Sequence, residues 1–257
     1  MTMLDSLVEA ARAAGDAILR IRAAGFAVDH KRDASPVTAA DHAAEDVLLA
    51  HLARRAPGIP VVAEEAVAAG VIPETGERFF LVDPLDGTRE FVAGRDEFTV
   101  NVALVERGRA VLGVVHAPAL GRCFAGDVAA SRAFELRRSD DGSTRSLPLR
   151  VRAPAPGRLV AVASRSHASP QTRGWLEAQG IAECVAIGSS LKFCLLAAGE
   201  ADVYPRFGPT MEWDTAAGDA VLGAAGGVVL APDGAPLRYG KPGFRNTDFI
   251  ASAAPPR

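Results

Sequence analysis

Cysteine is scarce in this chain. Cys123, Cys184 and Cys194 are the three present, and none forms a C-x-x-C pair. That excludes a disulfide framework and a paired-thiol redox or zinc motif, and predicts reduced thiols buried in apolar surroundings. An excess of one charge is also lacking. Lys and Arg total 28 against 31 Asp and Glu, a net charge of -3, so a broad nucleic-acid footprint is not expected. No uncharged apolar run reaches the length of a membrane span. The longest candidate, Thr215 to Ala231, contains Asp219 and several glycines. The first residues carry Asp5 and Glu9 within helical periodicity and do not read as a signal peptide, so a cytoplasmic protein is expected. G-x-x-x-x-G-K-[ST], G-x-G-x-x-G and G-x-S-x-G are absent, which removes support for P-loop, Rossmann and serine-hydrolase readings. His30, His42, His51, His116 and His167 show no metal-ligand spacing and read as structural or exposed.

What is present is the material of a folded protein. Of 257 residues, 49% are apolar and 23% charged, which argues against disorder and collagen. Leu4, Leu7, Val8, Ala11, Ile18 and Ile21 recur at helical spacing and predict a first amphipathic helix. The polar stretch from Val28 to Ser35 predicts a loop. Pro36-Val37-Thr38 leads into a second helix with Ala44, Val47, Leu48 and Leu52 on its apolar face, ended by Pro57-Gly58. Ile59–Ala63 and Phe79–Val82 predict buried strands, and Thr99–Ala117 a hairpin around Arg107-Gly108-Arg109. Further strands are expected near Phe124, at Ala133–Leu136 and at Leu147–Val151, with a turn at Asp140–Ser143. Ala153-Pro154-Ala155-Pro156-Gly157 breaks the pattern. It is the expected boundary between an N-terminal α+β domain, residues 1–152, and a C-terminal α/β domain, residues 153–257. Beyond it, strands at Leu159–Ala163, Ile181–Ile187 and Asp202–Arg206 alternate with helices. The first helix opens at Ser169-Pro170 and closes at Gly180; the others span Ser190–Ala198 and Asp214–Ala225. Strands near Val228–Leu230 and Phe249–Ser252 end the pattern.

The sharpest chemical feature is Asp83-Pro84-Leu85-Asp86-Gly87-Thr88, after a strand. Two carboxylates three apart can be aimed at one point, where a shared cation would relieve their repulsion. Hard oxygen donors suit Mg²⁺ or Mn²⁺ rather than zinc. Gly87 allows close backbone approach, and a helix starting at Thr88 would turn free N–H groups toward a phosphate. A plain Asp-Gly turn accounts for the dipeptide alone; the whole hexapeptide at a strand end favours a site. Glu64 and Glu65 follow another strand. Asp214 reads most simply as a helix N-cap, and Asp41 as half of a capping box with Thr38. Singly these are weak, but together they offer carboxylates from four separated segments, as a multi-metal phosphatase requires. Lys192 and Arg206, taken alone, read as solvated surface.

Several segments, taken in order, resemble the lithium-sensitive, Mg²⁺-dependent phosphomonoesterases of the inositol monophosphatase superfamily. The first are Ser35-Pro36-Val37-Thr38-Ala39-Ala40-Asp41, Leu81-Val82-Asp83-Pro84-Leu85-Asp86-Gly87-Thr88-Arg89-Glu90-Phe91 and Glu97-Phe98-Thr99-Val100-Asn101. Ser164-Arg165-Ser166-His167 and Gly188-Ser189-Ser190-Leu191-Lys192-Phe193-Cys194 continue the match. Tyr204-Pro205-Arg206-Phe207-Gly208-Pro209 and Trp213-Asp214-Thr215-Ala216-Ala217-Gly218 complete it. Within the superfamily the chain is most similar to the bacterial CysQ-type 3'(2'),5'-bisphosphate nucleotidases. The resemblance implies a layered αβαβα sandwich. It implies that Glu64, Asp83 and the Leu85 carbonyl bind one metal, and that Asp83, Asp86 and Asp214 bind a second. The metal would be Mg²⁺, two or three ions, with Mn²⁺ as a substitute. Thr88, held by Asp41, would help Glu64 orient and deprotonate a metal-bound water. Gly87 and Thr88 would grip the phosphate. Glu64, Leu85, Asp86, Ser189, Lys192, Arg206 and Asp214 would complete the substrate contacts. Relatives often have Ser where Ala63 stands, which removes a supporting hydrogen bond and no ligand.

Near the position of Arg206, inositol monophosphatases typically place a carboxylate that accepts hydrogen bonds from inositol hydroxyls. A cation there, with Lys192 as another, suits a second phosphate. The implied reaction is hydrolysis of 3'-phosphoadenosine 5'-phosphate to AMP and phosphate, recycling a by-product of sulfate assimilation. Two alternatives stay open. One is an inositol-phosphate or sugar-phosphate phosphatase of the same superfamily, and the other a non-catalytic sensor of a phosphorylated metabolite. The resemblance also leaves open a homodimer and a peripheral contact with the inner membrane.

Overall fold

Local chemistry sets the first helices. In the computed structural model, which describes residues 1–31, 36–139, 141–153, 158–165 and 169–253, α1 (Met3–Ala24) starts at a reciprocal cap between Thr2 and Asp5 and stops at Gly25. Val28–His30 and Pro36–Thr38 are not a plain loop. They form an antiparallel pair, β1 and β2, whose pairing needs backbone groups rather than an apolar pattern. Residues 32–35 of the expected loop lie outside the described residues. Thr38 then caps α2 (Ala39–Arg55), with Asp41 closing the box.

The next stretch builds one sheet. It contains β3 (Val61–Ala63), α3 (Glu64–Ala68), β4 (Arg78–Asp86), α4 (Thr88–Val92), β5 (Thr99–Glu106), β6 (Arg109–Ala117), β7 (Arg122–Asp127), β8 (Arg132–Arg138) and β9 (Thr144–Pro148). These strands pair in sequence order. Arg107 and Gly108, both at positive φ, make the two-residue turn between β5 and β6. The strand expected at Leu147–Val151 begins earlier, at Thr144, because its partner is the exposed end of β8. Asp140, in the expected turn, lies outside the described residues.

The rest of the chain supplies β10 (Val160–Ser164), α5 (Pro170–Ala178), β11 (Glu183–Ile187), α6 (Leu191–Ala197), β12 (Val203–Arg206), α7 (Ala216–Ala224), β13 (Val228–Leu230) and β14 (Phe249–Ser252). Their sheet runs β11-β10-β12-β14-β13. Ser169 caps α5 by accepting from the Thr172 amide, with Pro170 at the first helical position. Residues 154–157, at the expected domain boundary, and Ser166 and His167 lie outside the described residues.

The layers are α1 with α2, the seven-stranded sheet, α6 with α7, the five-stranded sheet, and α5. This is the αβαβα sandwich. β4 has both faces buried, which explains its unbroken apolar run. Phe80 and Val82 join the cluster under α1 and α2, while Phe79 and Leu81 join the cluster under α6 and α7. α7 lies almost on the sheet backbone. A Cβ on Gly113 would stand 2.3 Å from the Ala217 carbonyl oxygen, and one on Gly126 2.6 Å from the Val221 Cα. That close approach brings the turn preceding α7 to the end of β4.

Two details concern titrating groups. Cys123 and Cys194 are buried, and burial pushes the Cys123 thiol up to about 12 and holds the Cys194 thiol well above its ordinary range. Cys184 corrects the expectation of buried thiols: it is exposed, on the edge strand β11. On α7, half-buried Asp219 accepts a 2.8 Å hydrogen bond from the Tyr239 hydroxyl. Burial pushes its carboxyl from an ordinary 3.8 up to about 7. The folded state therefore favours the protonated form, and stability falls as pH rises from about 4 to about 7. Asp219→Asn, which mimics the neutral acid, should raise Tm by several degrees at pH 8 and by less at pH 5. Thermal melts at both pH values test this, and an equal change at both would contradict it.

Candidate active site

β4 pairs with β5 in register up to Asp83, slips, and resumes at Asp86 opposite Thr99. Pro84 has no N–H for the ladder, so the pairing breaks there. The signature thus lies inside the irregular end of β4, not after it. The Leu85 amide donates to Asp83 Oδ1 at 3.1 Å, which curls the segment. Gly87 takes φ 93°, a conformation open to glycine, and α4 starts at Thr88.

This turn forms one wall of a cavity of about 280 Å³. Glu64, Asp83, Leu85, Asp86, Gly87, Thr88, Ser189, Lys192, Arg206 and Asp214 all line it. Asp41 stands behind the wall. Its Oδ2 accepts from the Thr38 amide and hydroxyl at 2.7 and 2.8 Å, and its Oδ1 lies 3.1 Å from the Thr88 hydroxyl. The capping role and the contact with the site are both made. Asp214 is not an N-cap. It ends a 3₁₀ turn, Glu212–Asp214, and its Oδ2 accepts from the Met211 amide at 2.8 Å.

The carboxylates face one another in poor solvent. Burial holds the Asp83 carboxyl well above the usual range, and Glu64, Asp86 and Asp214 raise it further. Burial does the same to Asp214, with Asp86 and Glu64 adding to it. Burial lifts Asp86 to about 6, although Lys192 pulls it down. Burial in turn lowers Lys192 to about 8 against the attraction of Asp86. Lys31 Nζ lies 2.6 Å from both Glu64 Oε1 and Glu65 Oε1. Burial disfavours this ammonium, yet the two glutamates outweigh that and raise it.

Among the described residues, no three His, Cys, Asp or Glu side chains are grouped so as to hold a metal ion as they stand. Lys31 engages Glu64, and like charges resist convergence of the other three. The donor set nevertheless fits a hard divalent cation. It is all oxygen and anionic, it opens on one cavity, and its mutual repulsion is what a 2+ charge would relieve.

Both cations correct the surface reading, since Lys192 is 4% exposed and Arg206 8%. The Lys192 ammonium donates to the Ser189 and Ile187 carbonyls and sits over the Tyr204 ring. One Arg206 nitrogen donates to the Pro209 carbonyl at 2.9 Å, while its Nε is buried with no hydrogen-bond partner among the described residues. Sequence reasoning gave no role to the polar relay behind Asp86. Asn101 Nδ2 lies 3.4 Å from Asp86 Oδ2, the Ser190 hydroxyl donates to Asn101 Oδ1 at 2.6 Å, and Thr99 Oγ1 lies 2.9 Å from Ser190 Oγ. The available signal was Thr99 and Asn101 recurring at period two in an apolar strand. Lys31 was missed too, with no pattern to mark it.

Comparison with known proteins bears on this arrangement. Residues 1–254 match the inositol monophosphatase family. The chain is 44% identical over 251 residues to the 3'(2'),5'-bisphosphate nucleotidase CysQ of Shigella flexneri, covering 95% of this chain and 98% of that one. It is 42% identical to CysQ of Escherichia coli K12 over the same shares. Among solved structures, CysQ of Bacteroides thetaiotaomicron matches with a TM-score of 0.78 and 38% identity, over 96% of both chains. An inositol monophosphatase of Thermotoga maritima matches with a TM-score of 0.78 and 25% identity, over 98% of this chain and 92% of that one. Fold, signature segments and relatives agree: the chain belongs to the inositol monophosphatase family.

Proposed function

We propose that the protein is a Mg²⁺-dependent 3'(2'),5'-bisphosphate nucleotidase that hydrolyses 3'-phosphoadenosine 5'-phosphate to AMP and phosphate, in the recycling step that accompanies sulfate assimilation. The observation that carries this reading is the pair of buried cations, Lys192 and Arg206, in the same cavity as Glu64, Asp83, Asp86 and Asp214. The carboxylates suit a metal-assisted monoesterase, and the cations suit a substrate with a further phosphate.

Glu64, Asp83, Asp86, Asp214 and the Leu85 carbonyl are the groups that would hold Mg²⁺, with Mn²⁺ as a substitute. The ion supplies Lewis-acid activation of the phosphoryl group and of the attacking water. Asp41 engages the Thr88 hydroxyl proton, so the Thr88 oxygen can accept from the water and orient it. Glu64 takes the water's proton as the new P–O bond forms and the bond to the ribose oxygen breaks. That oxygen leaves opposite the water and is protonated from solvent. Gly87 and Thr88 hold the transferred phosphoryl group. Ser189, Lys192 and Arg206 hold the rest of the substrate, with Arg206 Nε bringing an unspent donor.

The test is phosphate release by purified protein with Mg²⁺. The substrates are 3'-phosphoadenosine 5'-phosphate, AMP, inositol 1-phosphate and fructose 1,6-bisphosphate, each with and without lithium. A preference of at least tenfold in kcat/KM for the first is expected. Preference for the inositol or sugar phosphate would overturn the assignment of Lys192 and Arg206. No release from any of them by folded, metal-loaded protein would favour a sensor.

A further inference from the structure

Asp214 sits on a short turn that must aim a half-buried carboxylate at other carboxylates. The hydrogen bonds within residues 210–215, from the Met211 amide to Asp214 Oδ2 and from the Thr215 hydroxyl to the Glu212 carbonyl, shape the turn but do not tie it to the rest of the fold. The turn is instead fastened from outside by the segment between β13 and β14. Glu212, fully buried, accepts from the Gly240 amide at 2.6 Å and the Lys241 amide at 3.0 Å, and pairs with the Lys241 ammonium at 2.7 Å. On the other side, Asn246 Nδ2 lies 2.7 Å from the Met211 carbonyl, 3.0 Å from Thr215 Oγ1 and 3.2 Å from Thr210 Oγ1. Its amide donates to the Thr210 carbonyl at 3.0 Å. Met211 and Arg245 form an isolated antiparallel bridge between the two fastenings. Phe244, buried and held at a left-handed φ of 51°, packs against Trp213. Met211 is also the residue whose amide donates to Asp214 Oδ2. The chain of contacts is therefore continuous from Asn246, through the Met211 peptides, to the carboxylate.

We propose that residues 239–246 form a strap that sets the position of the Asp214 carboxylate, with Glu212 and Asn246 as positioning residues for metal binding. This rests on the reading of Asp214 as a metal ligand. Groups that fix a ligand from outside typically change metal affinity 10–100-fold when removed. Neither residue touches the cavity, as neither lines it. Their loss should act on the metal before it acts on substrate.

The experiment is calorimetric titration of the full chain with MgCl₂, beside thermal melts without metal. The chains compared are the parent, Asn246→Ala, Glu212→Gln and Asp214→Asn. Asn246→Ala and Glu212→Gln should each weaken Mg²⁺ binding by roughly 10–100-fold. The kcat at saturating Mg²⁺ should recover to within a few-fold, and the substrate KM should change little. Asn246→Ser keeps one donor and should fall between parent and Asn246→Ala; it replaces the alanine variant if that one does not fold. A lowered Tm with unchanged Mg²⁺ affinity would mean that the contacts only stabilise the fold, and would overturn the strap. If Asp214→Asn leaves Mg²⁺ binding intact, the reading of Asp214 as a ligand fails, and that result is separate from anything the strap variants show.

Discussion

Asp83→Asn should abolish phosphate release while making the metal-free protein more stable. Asp83 is buried at the centre of the carboxylate group, and burial together with Glu64, Asp86 and Asp214 disfavours its charge. At neutral pH the folded chain must either hold that charge at a cost or take up a proton that the unfolded chain does not bind. The neutral amide avoids both. A gain of roughly 2 kcal/mol, equivalent to about 4–8 °C for a protein of this size, is the expected scale. The catalytic loss has the opposite sign. Metal assistance is worth several kcal/mol and each 1.4 kcal/mol is about tenfold in rate, so a fall of ~10³-fold or more in kcat is expected. The two effects separate in one melting series. Without metal the variant should melt higher. With saturating Mg²⁺ the parent should gain stability by mass action and overtake it. A variant that keeps more than a tenth of the activity, or that melts lower without metal, would contradict this account of the site. The same site chemistry thus opposes stability, as expected where a chain must hold a charge pattern that a bound cation completes.

What the sequence made legible follows from how local each cause is. The cap at Ser169-Pro170, the Thr38–Asp41 box and the Arg107-Gly108 turn depend on neighbours within four residues, and the structure has all three. The carboxylates of Glu64, Asp83, Asp86 and Asp214 were legible as a group through resemblance, and they do share a cavity. Burial of Lys192 and Arg206 was not legible from composition. It depends on how α6 and β12 are covered by other layers, which no local pattern reports. The exposed Cys184 failed for the converse reason: Glu183–Ile187 looks like a core strand, but it lies at the edge of its sheet with its residues exposed. Glu212 and Asn246 were invisible because their partners lie 28 to 36 residues away in loops without a pattern. The fold and the carboxylates that share the cavity are therefore the readable part. The cations and the supports depend on tertiary context.

Arg206→Gln should separate the two halves of the proposed substrate. Arg206 is buried and borders the cavity, with one nitrogen bound to the Pro209 carbonyl and its Nε unpartnered among the described residues. A guanidinium in this setting gains most from a phosphate that can take both its charge and its free hydrogens. Removing one partner of a desolvated charge pair costs about 2–5 kcal/mol, or roughly 30- to 4,000-fold. The kcat/KM for 3'-phosphoadenosine 5'-phosphate should fall within that range, carried mainly by KM. A simple monophosphate, which places nothing against Arg206, should lose less than about fivefold in kcat/KM, within ~1 kcal/mol. Glutamine is the informative replacement. A glutamate would bring another negative charge toward Asp214, whose carboxyl Arg206 now draws down. Metal binding would then suffer with every substrate, and the comparison would lose its meaning. The measurement is kcat/KM for both substrates at saturating Mg²⁺, in parent and variant. Equal losses on the two would place Arg206 in support of the metal site, and would remove the main reason for preferring a bisphosphate over an inositol or sugar phosphate.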